Sequence, residues 1–340
     1  MLVMHQTALW IAFNVFVLGM LAVDLGVFNR KAHVITMREA SRWTVVVVAM
    51  AALFNYGIFR YQGHQAGLEF MTGYLIELAL SVDNIFVFIL IFSYFKVPPQ
   101  YQHRVLFWGI FGALLMRGVM IWAGAYLISR FSWVIYIFGA FLVYTGIRMA
   151  LQRESELEPE ANPVLKLVRR VFPVSPMPDG QHFFTHINIG GVMHRAVTPL
   201  FVVLILVETT DLIFAVDSIP AIFAVTTDPF LVYTSNVFAI LGLRSMYFLL
   251  AGVIEKFHYL KLGLAGVLVF VGGKMLVTFF DVHIHIAVSL AVVGGVLLAS
   301  IIASLLFPKK PEEEQPGADP LVGGGDLQDA GAVQKSSEKL

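Results

Sequence analysis

The chain has 340 residues, 58% of them hydrophobic and only 14% charged, with 23 basic and 23 acidic side chains and no cysteine. Soluble domains carry roughly 45–50% apolar and about 25% charged residues, so this composition, with a mean hydropathy of +0.78, reads as an integral membrane protein. The missing cysteine excludes disulfides, zinc-thiolate sites, iron–sulfur clusters and Cys nucleophiles, and leaves oxygen, imidazole or thioether ligands for any metal.

The N-terminus "MLVMHQTALW" lacks Lys and Arg, and no A-x-A-like site closes the apolar run behind it, so the first segment is expected to stay as a span. Apolar runs of about 20 residues, enough to cross roughly 30 Å of hydrocarbon, recur about nine times. They fall near 8–28, 42–60, 70–94, 104–127, 133–150, 198–222, 230–253, 262–280 and 284–306. Crowding around Asp281 and His285 leaves counts of eight or ten open. The predicted fold class is all-α, a polytopic transmembrane helical bundle. Its parts are spans 1 and 2 (1–69), three spans in 70–150, a loop at 151–197, three spans in 198–280, a last span at 281–307 and a tail at 308–340. In the loop, "RESELEPEANP" is acidic, and "VLKLVRRVF" reads either as an amphipathic helix at the interface or as a solvated connector. The tail, rich in Pro, Gly and charge, is expected to be disordered.

Loop charge sets the orientation. Arg30, Lys31, Arg38, Lys96, Arg104, Arg153, Lys166, Arg169, Arg170, Arg195, Lys256, Lys261, Lys309 and Lys310 all fall in or beside alternate loops. The opposite loops hold only Arg60 and Arg130 near their edges. The positive-inside rule then predicts an outside N-terminus and a cytoplasmic C-terminus. No basic block has the length or aromatic interleaving of a nucleic-acid surface.

Sliding the chain against itself reveals a repeat. "ELALSVDNIF" (77–86) matches "DLIFAVDSIP" (211–220), aligning Glu77 with Asp211, Asp83 with Asp217 and Asn84 with Ser218. "FGALLMRGVM" (111–120) matches "FAILGLRSMY" (238–247), pairing Arg117 with Arg244, and "FLVYTGIRMA" (141–150) matches "VLVFVGGKML" (267–276), pairing Arg148 with Lys274. Each unit holds three spans, an odd number, so spans 3–5 and 6–8 are expected to be inverted relative to one another. Secondary transporters commonly show this arrangement, with the substrate at the midplane between the repeats.

Carboxylates inside the membrane are costly and mark function by default. Span 3 carries Glu77, Ser81, Asp83 and Asn84; on a regular helix 77, 81 and 84 share a face while Asp83 lies about 120° from Glu77. A local unwinding at Ser81–Asn84 would let both acids point inward. Span 6 carries Glu208, Thr209, Thr210, Asp211, Asp217 and Ser218, and Pro220 predicts a kink or break just past Asp217. Asp24, near the end of span 1, either joins these acids or snorkels to the interface. Arg117 and Arg244 could neutralise two of the carboxylates in buried pairs. The rest form a candidate site for a hard cation, since carboxylate, amide and hydroxyl oxygens suit Mn²⁺, Mg²⁺ or Ca²⁺; protons or Na⁺ stay open. The ten histidines lie in loops or at span edges, and "HIH" (283–285) is weak evidence for a metal.

At "TGYLIELALSVDNIFVF" and "LVETTDLIFAVDSIPAIFAVTTDPFLVYTSNVFAILGLRSMYFLLAG" the chain resembles the TerC family, near its Alx-type members, over roughly residues 8 to 306. That resemblance implies a bacterial inner-membrane protein associated with manganese export and tellurium resistance. It implies that Glu77, Asp83, Asn84, Glu208, Asp211 and Asp217 line a Mn²⁺ path. Ser81, Thr210 and Ser218 stand beside them, with Asp24, Arg117 and Arg244 as further acids or ion-pair partners. The expectation is therefore a Mn²⁺ exporter with an alternating midplane site, proton coupling, no resident cofactor and no enzymatic role, a homo-oligomer being allowed. The alternatives are a Ca²⁺ or other cation/proton exchanger and a non-transporting membrane partner that assists insertion or metal loading of other proteins. Neither H-E-x-x-H nor G-x-S-x-G occurs, so an intramembrane enzyme has no motif to stand on.

Overall fold

A computed structural model describes residues 2–23, 35–151, 163–175, 177, 179–189, 192–251, 259–280, 282 and 284–307. Among them the chain forms α1 (Leu2–Val23), α2 (Met37–Tyr61), α3 (His64–Tyr94), α4 (Pro99–Arg130), α5 (Val134–Leu151), α6 (Pro163–Val171), β1 (Phe184–Ile189), β2 (Val192–Val197), α7 (Pro199–Phe223), α8 (Pro229–Leu250), α9 (Leu260–Val277) and α10 (Ile286–Leu306). Seven helices, α2 to α5, α7, α9 with its 3-10 extension and α10, are long and apolar enough to cross a membrane. The other two predicted spans fall at α1, whose apolar described stretch Thr7–Val23 is short, and at α8, which is interrupted by Asn236 and Arg244. The tail 308–340, Asp24, Asp281 and His283 lie outside the described residues.

Helix boundaries follow local chemistry. Thr36 caps α2 by accepting from the Glu39 amide, and α4, α7 and α8 each begin at a proline whose missing N–H costs nothing in a first turn. Asp228 caps α8 through a 2.8 Å bond from the Phe230 amide. Asp228→Ala is expected to lower stability by about 1 kcal/mol, read as a drop in the detergent melting temperature.

Two sequence expectations are corrected here. Helix α3 runs unbroken from His64 to Tyr94, so Ser81–Asn84 is not unwound. Pro220 lies inside α7, which ends at Phe223 three residues later instead of breaking past Asp217. The proline takes away one donor, to the Val216 carbonyl, but only three helical residues follow it, so little helix depends on that turn. The 151–197 loop, read as a helix or connector, holds both the short helix α6 and an antiparallel hairpin, β1–β2, with Phe184 opposite Val197 and Ile189 opposite Val192. Among the described residues the fold is thus helical apart from one hairpin and a bridge from Val174 to Val197. Val197, at its inner end, is buried beside Leu165 and Leu200 in a core cluster.

Close crossings give the relative directions of the helices. Helices α3 and α7 are antiparallel: Gly73 nears Ile222 while Asn84 bonds Asp211. Helices α5 and α9 are also antiparallel, Gly139 lying against Gly272 and Gly146 against Ala265. Helix α4 runs the same way as α7, with Gly109 at Val207 and Gly124 at Phe223, and α3 runs the same way as α8, with Gly73 at Ser235 and Phe92 at Tyr247. Small residues at each crossing let the backbones approach where lipid supplies no hydrophobic drive. Helix α1 joins through rings: Phe13 packs on Phe54, Phe230 and Phe238, and Tyr233 donates to Asn14 at 2.8 Å. Outward positions such as Leu53, Val119 and Trp122 are about two-thirds or more exposed, which suits a lipid-facing surface.

Candidate functional site

The unbroken helices sort the predicted acids by angle. Positions seven apart share a face of a helix, so Glu77 with Asn84 on α3, and Asp211 with Ser218 on α7, point the same way. Because α3 and α7 cross antiparallel, these two faces meet. Asn84 Nδ2 donates to Asp211 Oδ1 at 3.1 Å. Arg117, reaching in from α4, joins Glu77, Asp211 and Ser218. Its Nε donates to Asp211 Oδ2 at 3.1 Å and its Nη2 to Asp211 Oδ1 at 2.9 Å, a two-pronged grip. Its Nη1 pairs with Glu77 Oε1 and lies 3.3 Å from both Ser218 Oγ and Asn236 Oδ1. Asn236 Nδ2 closes the ring by donating to Glu77 Oε2 at 3.1 Å. Glu77, Arg117 and Asp211 are 0%, 2% and 3% exposed, so each charge depends on the others for its solvation.

The i+6 acids face elsewhere. Asp83 and Asp217 lie within electrostatic range of each other; Lys261 acts on Asp83 and Arg148 on Asp217, and Thr145 donates to Asp217 Oδ1 at 3.2 Å. Glu208, one turn before Asp211 on α7 and within its electrostatic range, lies against Gly112 of α4, and a Cβ at Gly112 would overlap its carboxylate. The hydroxyls of Thr209 and Thr210 donate to the Ile205 and Leu206 carbonyls of their own helix. Ser81 Oγ, Asn84 Oδ1 and Glu208 Oε2 are buried without a hydrogen bond among the described residues. Such orphans cost roughly 1–3 kcal/mol each and call for an explanation.

The sequence-predicted residues are therefore not gathered into one cage. Among the described residues no three Asp, Glu or His side chains are arranged to hold a metal together. Glu77, Asn84, Asp211, Ser218 and Arg117 form the inner network; Asp83 and Asp217 form a second acid pair; Glu208 borders Asp211, and Asp24 lies outside the described residues. Among the described residues, Arg117 holds both inner carboxylates, Glu77 and Asp211. Arg244 is buried and lines a small cavity with Asp211. Sequence reasoning missed Asn236 and Thr145. Asn236 aligns with Gly109 in the repeat, so comparing the halves hides it; a lone amide inside an apolar helix was the available signal.

Comparison with known proteins agrees with these motifs. The model of the integral membrane protein TerC family matches residues 62–312. An uncharacterized membrane protein of Myxococcus xanthus is 55% identical over 298 residues, covering 88% of this chain and 92% of its own length. The Escherichia coli K12 protein named "Putative membrane-bound redox modulator Alx" is 49% identical over 318 residues, covering 91% and 98%. A Rickettsia bellii membrane protein is 40% identical, covering 87% and 97%. No solved structure matches. With the family model spanning most of the chain and relatives aligned nearly end to end, the chain is a multi-span membrane protein of the TerC family.

Proposed function

We propose that the protein exports Mn²⁺ from the cytoplasm across a bacterial inner membrane, through two inverted three-helix units, α3–α5 and α7–α9, within nine spans. The observation that carries this reading is the convergence of two repeat-related acid pairs, Glu77/Asp211 and Asp83/Asp217, where α3 and α7 cross antiparallel. The α5–α9 contact repeats the logic: Gly146 meets Ala265 and Gly272 meets Gly139, and each contact turns into the other when the repeats are exchanged.

In this reading the cation first meets Asp83, Asp217 and the Thr145 hydroxyl, which offer hard oxygen donors. The unbonded oxygens of Ser81, Asn84 and Glu208 supply further ligands along the way. Glu77 and Asp211 join only when Arg117 releases them, so Arg117 stands in for cargo in the state described. The family resemblance favours Mn²⁺ over Ca²⁺ or Mg²⁺, which the same oxygens would accept. The chain acts as a transporter and not as an enzyme. With no cysteine of its own, it would exert a redox effect of the kind in the Alx name through the metal it moves.

The test is efflux from proteoliposomes loaded in turn with Mn²⁺, Ca²⁺ and Mg²⁺. Mn²⁺ should leave fastest; equal movement of Ca²⁺ would favour a general cation/proton exchanger, and no movement of any ion would favour the membrane-partner role. Proton exchange adds a pH prediction. With the membrane potential clamped, acidifying the side that receives the metal should speed efflux, because entering protons displace the cation from carboxylates. Equal rates at every imposed gradient would remove the coupling.

A further inference from the structure

We propose that α6 and the Phe184 end of the hairpin form a docking surface for an anionic lipid leaflet. Leu167, Val171, Phe172 and Phe184 enter the acyl boundary, and Lys166 and Arg170 lie against lipid phosphates. Helix α6 is anchored along one edge: Leu165 is buried in the cluster that holds Val197 and Leu200, and Val168 packs against the same cluster. The side turned away from that cluster carries two stripes. On a helix Lys166 and Arg170 fall one turn apart, as do Leu167 and Val171, and the two stripes lie about 100° from each other. All four side chains are exposed. An exposed face divided into a basic and an apolar half is the pattern of a helix lying in the plane of a membrane interface.

The depth of this surface follows from α7. Phe172, directly after α6, and Phe184, at the start of β1, set their rings against Phe201 at 6.4 and 5.1 Å between centroids. Phe201 is the third residue of α7, which has 25 residues. Such a helix is about 37 Å long against roughly 30 Å of hydrocarbon, so a few residues at each end lie among headgroups. Phe201 therefore stands at the boundary between acyl chains and headgroups, and the rings packed on it share that level. Leu167 and Val171 are 60% and 59% exposed, Phe172 and Phe184 44% and 54%. A patch of this kind calls for a cover, and at this depth acyl chains supply it. The basic stripe decides the headgroup. Each Lys or Arg beside an anionic membrane surface is worth about fivefold in the ratio of docked to free, so Lys166 and Arg170 together give roughly 25-fold over a neutral leaflet. This surface lies outside the proposed cation path and does not depend on what the protein carries.

The chain has no cysteine, so Leu167→Cys places a single thiol on the exposed apolar stripe, where the change leaves the core untouched. The full-length protein, labelled there with a small fluorophore, would be placed in nanodiscs of brominated phosphatidylglycerol or brominated phosphatidylcholine. Bromine reports acyl contact, and added acrylamide, a neutral quencher, reports contact with water. In phosphatidylglycerol the label should be quenched by bromine and protected from acrylamide. The ratio of bromine to acrylamide quenching should fall at least about fivefold in phosphatidylcholine, and as far in phosphatidylglycerol when Lys166→Gln and Arg170→Gln are added. Both basic positions are exposed, so these variants should fold as the parent does. Acrylamide reaching the label freely in both lipids would overturn the proposal. So would bromine quenching that is equal in both lipids and indifferent to the double variant, because the basic stripe would then select nothing. A label open to acrylamide in nanodiscs but shielded in native membranes would assign the surface to a protein partner, and would overturn the lipid reading as well.

Discussion

A chain carrying Arg117→Gln is expected to lose about 3–5 kcal/mol of stability, because two buried carboxylates lose their cation. Glu77 and Asp211 are almost wholly buried, and Arg117 is the cation that touches both. Glutamine can hydrogen-bond one carboxylate but cannot balance two charges. With Arg117 gone, the pair must either protonate or face each other uncompensated. Thermal unfolding of the parent and the variant in one detergent reads the loss. A variant that melts with the parent would show that the two carboxylates do not depend on Arg117.

Gly272→Leu should be similarly severe for a different reason. A Cβ at Gly272 would sit 2.6 Å from the Gly139 carbonyl oxygen and 2.9 Å from Leu142 Cβ, so backbone would have to yield. Helices α5 and α9 would be forced apart along their whole crossing, at a cost of about 3 kcal/mol or more, toward the upper end for overpacking. Gly273→Leu is the control. A Cβ there meets nothing within 4 Å, and the variant should stay within about 0.5 kcal/mol of the parent. Melting temperatures that fell equally for both would mean that the position loses helix geometry in general and not a specific crossing.

The helices were legible because a bilayer demands long apolar runs, but their count was less so. Seven helices are long and apolar enough to cross, against about nine predicted runs, since α1 is short in its apolar stretch and α8 carries Asn236 and Arg244. Predicted and observed ends differ by a few residues, with α3 beginning at His64 instead of 70 and α8 ending at Leu250 instead of 253. The hairpin in 184–197 was missed because "FTHINI" and "VMHRAV" are short and weakly alternating, and they sit in a loop where polarity hides the pattern. The acids were legible as individuals but not as a constellation. Shared faces at 77, 81 and 84 follow from helix angle, whereas Asp83 could face the same way as Glu77 only through an unwinding that α3 does not show. Arg117 was recognised as a needed counterion. That it serves Glu77 and Asp211 together depends on the antiparallel crossing of α3 and α7, which no local spacing encodes. Asn236 enters the network from a helix whose repeat mate has glycine at that point, so internal comparison passes over it.

The most direct measurement is Mn²⁺ efflux from proteoliposomes containing the parent chain, Asp83→Asn or Asp217→Asn. Each substitution keeps side-chain volume and removes one charge from the acid pair that Arg117 does not touch, so the inner network and the fold should survive. The expected result is rapid efflux with the parent, and loss of at least about tenfold with either variant while both remain monodisperse and melt near the parent temperature. Parent-like efflux from both variants would contradict a cation path through Asp83 and Asp217.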